Sequence, residues 1–140
     1  MVLFLTSNIG GIKKENGKKI PVEFYSKNHF LLNMKKSLKS NKKFVLIASK
    51  PFNFEGNDKF LEMDIEALKL SGLSFREYLV LDNRNKTKIS EVLKGSSLIF
   101  LSGGDTYIQN QFFKEINLKK YIKKLDATIV GISAGAINSA

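Results

Sequence analysis

Five short apolar runs, spaced along the 140-residue chain, constrain its fold more than any other feature of the sequence. They are rich in β-branched and aromatic residues, and they do not alternate between apolar and polar positions as half-exposed strands do. The runs cover residues 2–6, 44–49, 78–81, 98–101 and 128–132. Continuous apolar strands are typical of a parallel sheet that is buried on both faces.

Segments with helical periodicity separate these runs, because apolar residues recur three or four positions apart. The predicted helices lie around residues 31–38, 61–68, 89–93, 108–112 and 118–125. We expect Asn28 to cap the first helix, and Asn57 or Asp58 to cap the second. Gly72 should end the second helix. Strands that alternate with helices predict one α/β domain over residues 1–140, doubly wound around a mostly parallel sheet with helices on both faces.

The segment 7–27 shows neither pattern and is predicted to be a long loop. Because it follows the first strand, it should lie at the carboxyl edge of the sheet, where doubly wound folds bind ligands. A surface decoration without a function is the alternative interpretation.

Composition and charge exclude several classes of function. The chain has no cysteine, which excludes disulfides, thiolate metal sites and cysteine nucleophiles. The net charge of +10 comes almost entirely from scattered lysine pairs, and Arg76 and Arg84 are the only arginines. Such pairs are typical of solvated faces, so neither nucleic acid nor a membrane is predicted as a partner. A role at nucleic acid or a membrane surface, driven by charge and steeply dependent on salt, is the third hypothesis. No apolar run is long enough to span a membrane, and no signal peptide is apparent, which predicts a cytoplasmic protein.

The sharpest motif directly follows the fifth run and reads Gly-Ile-Ser-Ala-Gly over residues 131–135. Gly-x-Ser-x-Gly between a strand and a helix predicts a nucleophile elbow, in which a strained turn raises the Ser133 hydroxyl above the sheet edge. Small flanking residues avoid clashes with the neighbouring strands and the entering helix. The alternative is a glycine-rich turn that holds a phosphate or only packs tightly.

A second motif, Ser-Gly-Gly-Asp-Thr at residues 102–106, follows the fourth run. In a doubly wound sheet this turn should lie beside the turn after the fifth run, so Gly104 and Ser133 should be near neighbours. Two glycines also let the backbone approach a substrate closely. The amides of Gly104 and Ala134 would then form a two-donor oxyanion hole. Capping of the next helix by Asp105 or Thr106 is the alternative, and it is compatible with the first interpretation.

Taken together, residues 102–106 and 131–136 resemble the peptidase E family of serine peptidases, which comprises aspartyl dipeptidases with cyanophycinases as relatives. Leu-Thr-Ser-Asn at residues 5–8 is also similar to that family. The resemblance implies a flavodoxin-like fold, similar to class I glutamine amidotransferases, and a short peptide substrate, often with an N-terminal aspartate. It implies no metal and no cofactor.

Carried over by position, the resemblance makes Ser133 the catalytic nucleophile, with Gly104 and Ala134 as the oxyanion hole. It places Gly103, Asp105 and Thr106 in substrate binding. Many family members have asparagine at the position of Asp105, and this departure bears on recognition of the substrate's termini.

The sequence lacks an evident base for the serine. In the family a histidine and an acid follow the nucleophile, but only seven residues follow Ser133 and none is either. The single histidine, His29, lies far upstream and is predicted to be a surface residue at a helix end, with a role as base as the alternative. Four acidic residues are predicted to be solvated loop charges: Glu15, Glu23, Glu55 and Asp58.

The chain therefore resembles the first part of a longer enzyme. We expect an exposed apolar patch near the last strand, favouring self-association or a partner, and peptide binding without turnover. A non-catalytic module, whose glycine turns hold a small anion or a peptide terminus, is the alternative function.

Overall fold

The computed structural model describes residues 1–139, except for the side chains at 137 and 139. Five strands form one parallel sheet in the order β1-β7-β6-β4-β5. These strands are β1 (Val2–Thr6), β4 (Lys43–Ile47), β5 (Glu77–Leu81), β6 (Leu98–Leu101) and β7 (Thr128–Ile132). The predicted α/β fold is confirmed. Four neighbouring strands of the sheet, in the spatial order β5-β4-β6-β7, follow the strand order of a flavodoxin-like sheet.

The segment predicted as a long loop is instead a β-hairpin, with β2 (Gly10–Glu15) paired antiparallel to β3 (Lys18–Phe24). Its turn is Asn16-Gly17, with φ angles of 50° and 77°. Asn-Gly adopts left-handed conformations readily and is a strong signal for a two-residue hairpin turn. The prediction was wrong because this short-range signal outweighs the weak apolar pattern of the flanking residues.

Helices connect the strands and cover both faces of the sheet. They are α1 (Phe30–Ser37), α2 (Phe54–Leu70), α3 (Ile89–Leu93), α4 (Thr106–Glu115), α5 (Leu118–Ile122) and α6 (Ala134–Ser139). One core cluster joins α1, α2 and the hairpin to the sheet, and the other joins α3, α4 and α5 to the opposite face.

Both predicted N-caps of the first two helices are wrong. Asn28 precedes α1 in a short 3₁₀ turn with φ 54° and makes no capping hydrogen bond, and His29 occupies the cap position. Asn53 caps α2 through the Gly56 N–H, so Asn57 and Asp58 lie inside the helix. Asn57 is buried, and its side chain is satisfied because it donates to Asp82 and to the Lys50 carbonyl. The prediction placed the helix start one turn late.

The chain leaves neighbouring strands toward opposite faces at two places along the carboxyl edge. The segment after β4 leads to α2 on one face, whereas the segment after β6 leads to α4 on the other. The same divergence occurs between β1 and β7. Such places are called switch points, and the crevices at them are the usual ligand sites of doubly wound folds. Residues 102–106 lie at the switch point between β4 and β6, and Ser133 lies at the one between β1 and β7.

Candidate active site

Ser133 joins β7 to α6 in the conformation expected of a nucleophile elbow. Its φ angle is 53°, in the left-handed region that costs an L-residue about 1–2 kcal/mol. Its backbone N–H donates to the Thr6 carbonyl at 2.8 Å, which ties the turn to the end of β1. The side chain is exposed, and its hydroxyl makes no hydrogen bond within residues 1–139.

The turn after β6 lies directly beside Ser133, but the glycine in contact with the serine is Gly103, whereas Gly104 was the predicted neighbour. Register pairs Leu101 of β6 with Gly131 of β7, so the two turns leave the sheet side by side. A Cβ atom added at Gly103 would lie 3.3 Å from the Ser133 Cβ and 3.9 Å from its Oγ. Glycine at this position therefore leaves the serine hydroxyl accessible.

Gly104 faces a different neighbour, which sequence reasoning missed. Its φ angle is 143°, and an added Cβ would lie 2.9 Å from the Ser49 Cβ and overlap the Ser49 hydroxyl. Ser49 follows β4, so the turn after β6 contacts the other side of the switch point. The only signal for Ser49 in the sequence was its position just after a buried strand.

Two backbone N–H groups at this edge have no hydrogen-bond acceptor among the described residues. Ala134 is the first residue of α6, and the first N–H groups of a helix have no intrahelical partner. The Gly104 N–H makes no hydrogen bond to the described part of the chain. These are the two donors that the sequence predicts for an oxyanion hole.

Gly135 explains why the motif needs a second glycine. A Cβ atom there would overlap the Leu101 carbonyl group and lie 2.7 Å from its carbon. Helix α6 therefore begins in direct contact with the backbone of β6, which agrees with the predicted need for small flanking residues.

Asp105 caps α4 by accepting the Ile108 N–H at 2.9 Å, which confirms the capping interpretation. Thr106 is the first residue of that helix, and its carbonyl accepts the Asn138 side-chain amide at 2.9 Å. A role for Gly103, Asp105 and Thr106 in substrate binding stays a prediction.

A buried amide network that sequence reasoning missed holds the two turns together. The fully buried Gln109 donates to the Ser102 carbonyl at 2.6 Å, just before the two glycines. The Asn138 side chain of α6 donates to Gln109 Oε1 at 3.1 Å. The network therefore links the glycine turn to the helix that follows Ser133.

No base contacts the serine hydroxyl in the described residues. His29 is exposed at the start of α1, with φ 58°, and its imidazole makes no hydrogen bond. This position agrees with the predicted surface residue at a helix end. The acidic candidates are exposed as predicted, but they lie on strands and helices: Glu15 on β2, Glu23 on β3, Glu55 and Asp58 on α2.

A cavity of about 530 Å³ lies beside the end of β1, next to the serine turn. Its lining includes Thr6, whose carbonyl accepts the Ser133 N–H, and the amide side chains of Asn8 and Asn33. Lys27 is the one charged residue among the described residues that line it. The cavity combines aromatic rings with amide groups, which suits a short peptide.

The loop after β5 forms a separate polar cluster at the same sheet edge. Asp82 is fully buried and accepts from the Arg84 guanidinium at 2.8 Å and from Asn57 at 3.0 Å. Hydrogen bonds to Asp58 and Asp82 raise the pKa of Arg84. The hydrogen bond from Arg84 holds the pKa of Asp58 below its usual range. Asp58, Asp82 and Arg84 are paired with one another and connect β5 to α2, whereas the buried Oδ1 of the neighbouring Asn83 has no partner among the described residues.

Residues 1–139 contain no group of three or more histidine, cysteine or carboxylate side chains placed to hold a metal ion. In the same range no helix is long and apolar enough to cross a membrane.

Comparison with protein-family models found no family that matches this chain, and comparisons with curated proteins and with solved structures found no significant match. The resemblance to peptidase E thus rests on the motifs themselves.

Proposed function

We propose that Ser133 is the nucleophile of a serine-type exopeptidase that cleaves short peptides, in the manner of peptidase E. One observation supports this function above the others. Ser133 has a left-handed backbone and lies beside a two-glycine turn, and its exposed hydroxyl makes no hydrogen bond to the part of the chain that the structure describes. Strain of this kind is retained where the surrounding structure enforces it, and it concentrates at functional sites.

In the proposed reaction, Ser133 Oγ forms a bond to the carbonyl carbon of the scissile peptide and gives its proton to a base. The negative charge on the carbonyl oxygen would be stabilised by the N–H groups of Gly104 and Ala134. The amine leaves with a proton from the same base, and water then hydrolyses the ester. The cavity beside β1, with Asn8 and Lys27, is the proposed binding site for one end of the peptide.

The base is the missing part of this chemistry. No histidine or acid follows Ser133 in the sequence, and among the described residues His29 makes no hydrogen bond to the hydroxyl. We therefore expect the 140-residue chain to bind peptides and react slowly with activated acylating reagents, without sustained hydrolysis.

The test is covalent labelling with a peptidyl diphenyl phosphonate, followed by intact mass and peptide mapping. We expect a single adduct on Ser133 that disappears in Ser133→Ala and persists in Ser90→Ala, which removes an exposed serine on α3. Added imidazole should accelerate labelling by supplying the base. An adduct that survives Ser133→Ala would contradict the assignment of the nucleophile.

His29→Asn tests the alternative base, because asparagine tolerates the left-handed backbone of His29. We expect the labelling rate of this variant to equal that of the wild type. Robust hydrolysis of an aspartyl dipeptide by the wild type and His29→Asn, lost in Ser133→Ala, would overturn the expectation that the chain lacks a base.

A non-catalytic binding module is the second candidate, favoured by the two unpartnered N–H groups together with the absence of a base contacting Ser133 in the described residues. It predicts no covalent adduct with the phosphonate, even with imidazole. It also predicts reversible binding of the dipeptide, with equal affinity in the wild type and in Ser133→Ala, measured by calorimetry.

A further inference from the structure

Strand β1 lies at a free edge of the sheet, and one of its faces is only partly covered. Within residues 1–139, β7 is the one strand that pairs with it. On one face Phe4 packs edge to face against Phe30 of α1. Leu3 and Leu5 point to the opposite face because side chains alternate along a strand, and they are 41% and 50% exposed. The apolar patch that the sequence predicts near the last strand is therefore found on its neighbour, β1.

A groove of about 480 Å³ opens beside Leu3, on the side of the sheet that α4 and α5 cover. Its apolar lining crosses three neighbouring strands, with Leu3 on β1, Ile129 on β7 and Leu101 on β6. Because neighbouring strands lie about 4.8 Å apart, this apolar base is about 10 Å long. Phe113 of α4 and Ile122 of α5 also line the groove. Concave and mostly apolar sites of this volume are typical of small-molecule binding.

The charged residues that line the groove are all positive among the described residues. They are Lys114, Lys119 and Lys123, which are exposed and make no ion pair with any described residue. Lys119 and Lys123 lie one helical turn apart, because the Lys123 N–H donates to the Lys119 carbonyl at 3.2 Å. Like charges at this spacing repel each other, and a bound anion would reduce that repulsion.

We propose that this groove binds an amphiphilic anion with a single acyl chain, that is, a long-chain carboxylate. The acyl chain would lie along the apolar base, against Leu3, Phe113 and Ile129. The carboxylate would pair with Lys119 and Lys123, which line the same groove. The apolar length and the positive charge of the site thus match the two parts of such a ligand.

Two other occupants fit the groove less well. A helix of three turns with a diameter of about 10 Å occupies roughly 1,300 Å³, so the groove would enclose less than half of it. A second copy of a chain with net charge +10 would meet the lysines with like charge. Ser133 does not line the groove, so the proposal does not depend on the reactivity of that residue.

The probe is dodecanoate, used below its micelle concentration and compared with dodecyltrimethylammonium, which has the same chain length and the opposite charge. In titration calorimetry we expect dodecanoate alone to bind, with affinity that falls as the salt concentration rises. Decanoate and octanoate should bind more weakly, by about twofold to fourfold for each methylene removed. The upper value is the fold-change for complete burial of a methylene, about 0.8 kcal/mol.

NMR of the methyl groups locates the ligand. We expect nuclear Overhauser effects between the acyl chain and the methyl groups of Leu3 and Ile129. Leu32, an exposed leucine on α1, is the control and should show none. Leu3→Asn should weaken binding about fivefold because it removes apolar contact with the chain, whereas Leu32→Asn should leave the affinity unchanged.

Matched lysine variants test the position of the carboxylate by removing equal charge from two surfaces. Lys119→Gln/Lys123→Gln should weaken binding of dodecanoate about fivefold, as expected for the loss of two exposed charge pairs. Lys13→Gln/Lys14→Gln, on the exposed strand β2, should change the affinity by less than about twofold because only the long-range field changes. Circular dichroism of each variant establishes that it is folded.

Four results would overturn the proposal. They are no binding of dodecanoate, equal binding of the two amphiphiles, binding without contacts to Leu3 and Ile129, and an equal loss in the two double lysine variants. Binding of an acidic amphipathic peptide helix without binding of dodecanoate would also overturn it and assign the groove to a protein partner. A concentration-dependent dimer that dodecanoate does not dissociate would assign the groove to a second copy instead.

Discussion

The loop after β5 and the turn after β7 lie at the same edge of the sheet and differ in how their polar groups are satisfied. In the first, Asp82 is buried, and hydrogen bonds from Asn57, the Arg84 guanidinium and the Arg84 N–H reach its carboxylate. In the second, Ser133 adopts a strained left-handed backbone, and its exposed hydroxyl makes no hydrogen bond to the described chain.

Under the proposed function, the region with the highest density of charged residues is not the functional site of this molecule. The Asp82 cluster is richer in ionisable groups, yet its partners are consumed by one another, as in a structural network. The serine turn combines backbone strain with N–H donors that find no acceptor in the described part of the chain. We therefore expect substitutions in the first region to change stability alone, and those in the second to change reactivity.

The largest effect on stability is expected for Arg84→Met. Removing the guanidinium leaves the buried Asp82 carboxylate with fewer partners, so the free energy of unfolding should fall by about 3 kcal/mol. Urea denaturation measures this change, and Arg76→Met, at an exposed arginine, is the control. The labelling rate of Ser133 should be unchanged at low denaturant. A slowed rate would show that the two regions are coupled.

Gln109→Met should affect both stability and reactivity. It removes the donor to the Ser102 carbonyl and the acceptor for Asn138, so we expect a loss of about 2 kcal/mol in the free energy of unfolding. The glycine turn beside Ser133 would be held less firmly, which should raise the activation free energy of labelling by about 1.4 kcal/mol. The labelling rate of Ser133 should therefore fall about tenfold. Gln111→Met, at an exposed position on α4, should change neither quantity.

Asp64 tests whether an unpartnered polar group is by itself a sign of function. It is buried in α2, its Oδ2 has no hydrogen-bond partner within residues 1–139, and burial raises the pKa of its carboxyl well above the usual value. The folded state therefore holds the Asp64 proton more tightly than the unfolded state does. This contribution to stability is fully present below about pH 4, and it is lost as the pH rises through the folded-state pKa. Asp64→Asn should therefore flatten the pH dependence of stability.

At pH 7 we expect Asp64→Asn to raise the free energy of unfolding by about 1–2 kcal/mol, since it removes the cost of a buried carboxyl without a partner. Denaturation from pH 4 to pH 8 measures both effects, with Glu66→Gln on the exposed side of α2 as the control. Labelling of Ser133 should not change. Stability that rises with pH across this window would contradict the assignment.

The smallest expected effect concerns the strain at Ser133 itself. Ser133→Gly relieves the left-handed conformation, whereas Ser133→Ala keeps it, so the glycine variant should be about 1 kcal/mol more stable than the alanine variant. Thermal denaturation at matched pH compares the two variants, both of which lack the labelled hydroxyl. Equal stability would mean that the turn carries no strain and would remove the principal support for the nucleophile.

Much of this fold and part of the site could be predicted from local patterns. The strand predicted at 98–101 matches β6, and the predicted cap at Asp105 is confirmed. The hairpin could have been predicted from Asn16-Gly17 but was not, because the apolar alternation on either side of that turn is weak. The start of α2 was placed late because Asn57 matches a capping residue, whereas its side chain is used to bind Asp82.

The amino-acid sequence by itself determined the parallel α/β architecture, because the apolar continuity of each strand is local along the chain. It also indicated the juxtaposition of residues 102–106 with Ser133, because the two motifs follow successive apolar runs. Only the tertiary structure decided that Ser49 contacts Gly104, that Gln109 connects α4 to α6, and that Leu3 and Leu5 lie on a free edge. The first two are contacts between residues far apart in the chain. All three depend on which strands become neighbours once the two faces of the sheet are covered.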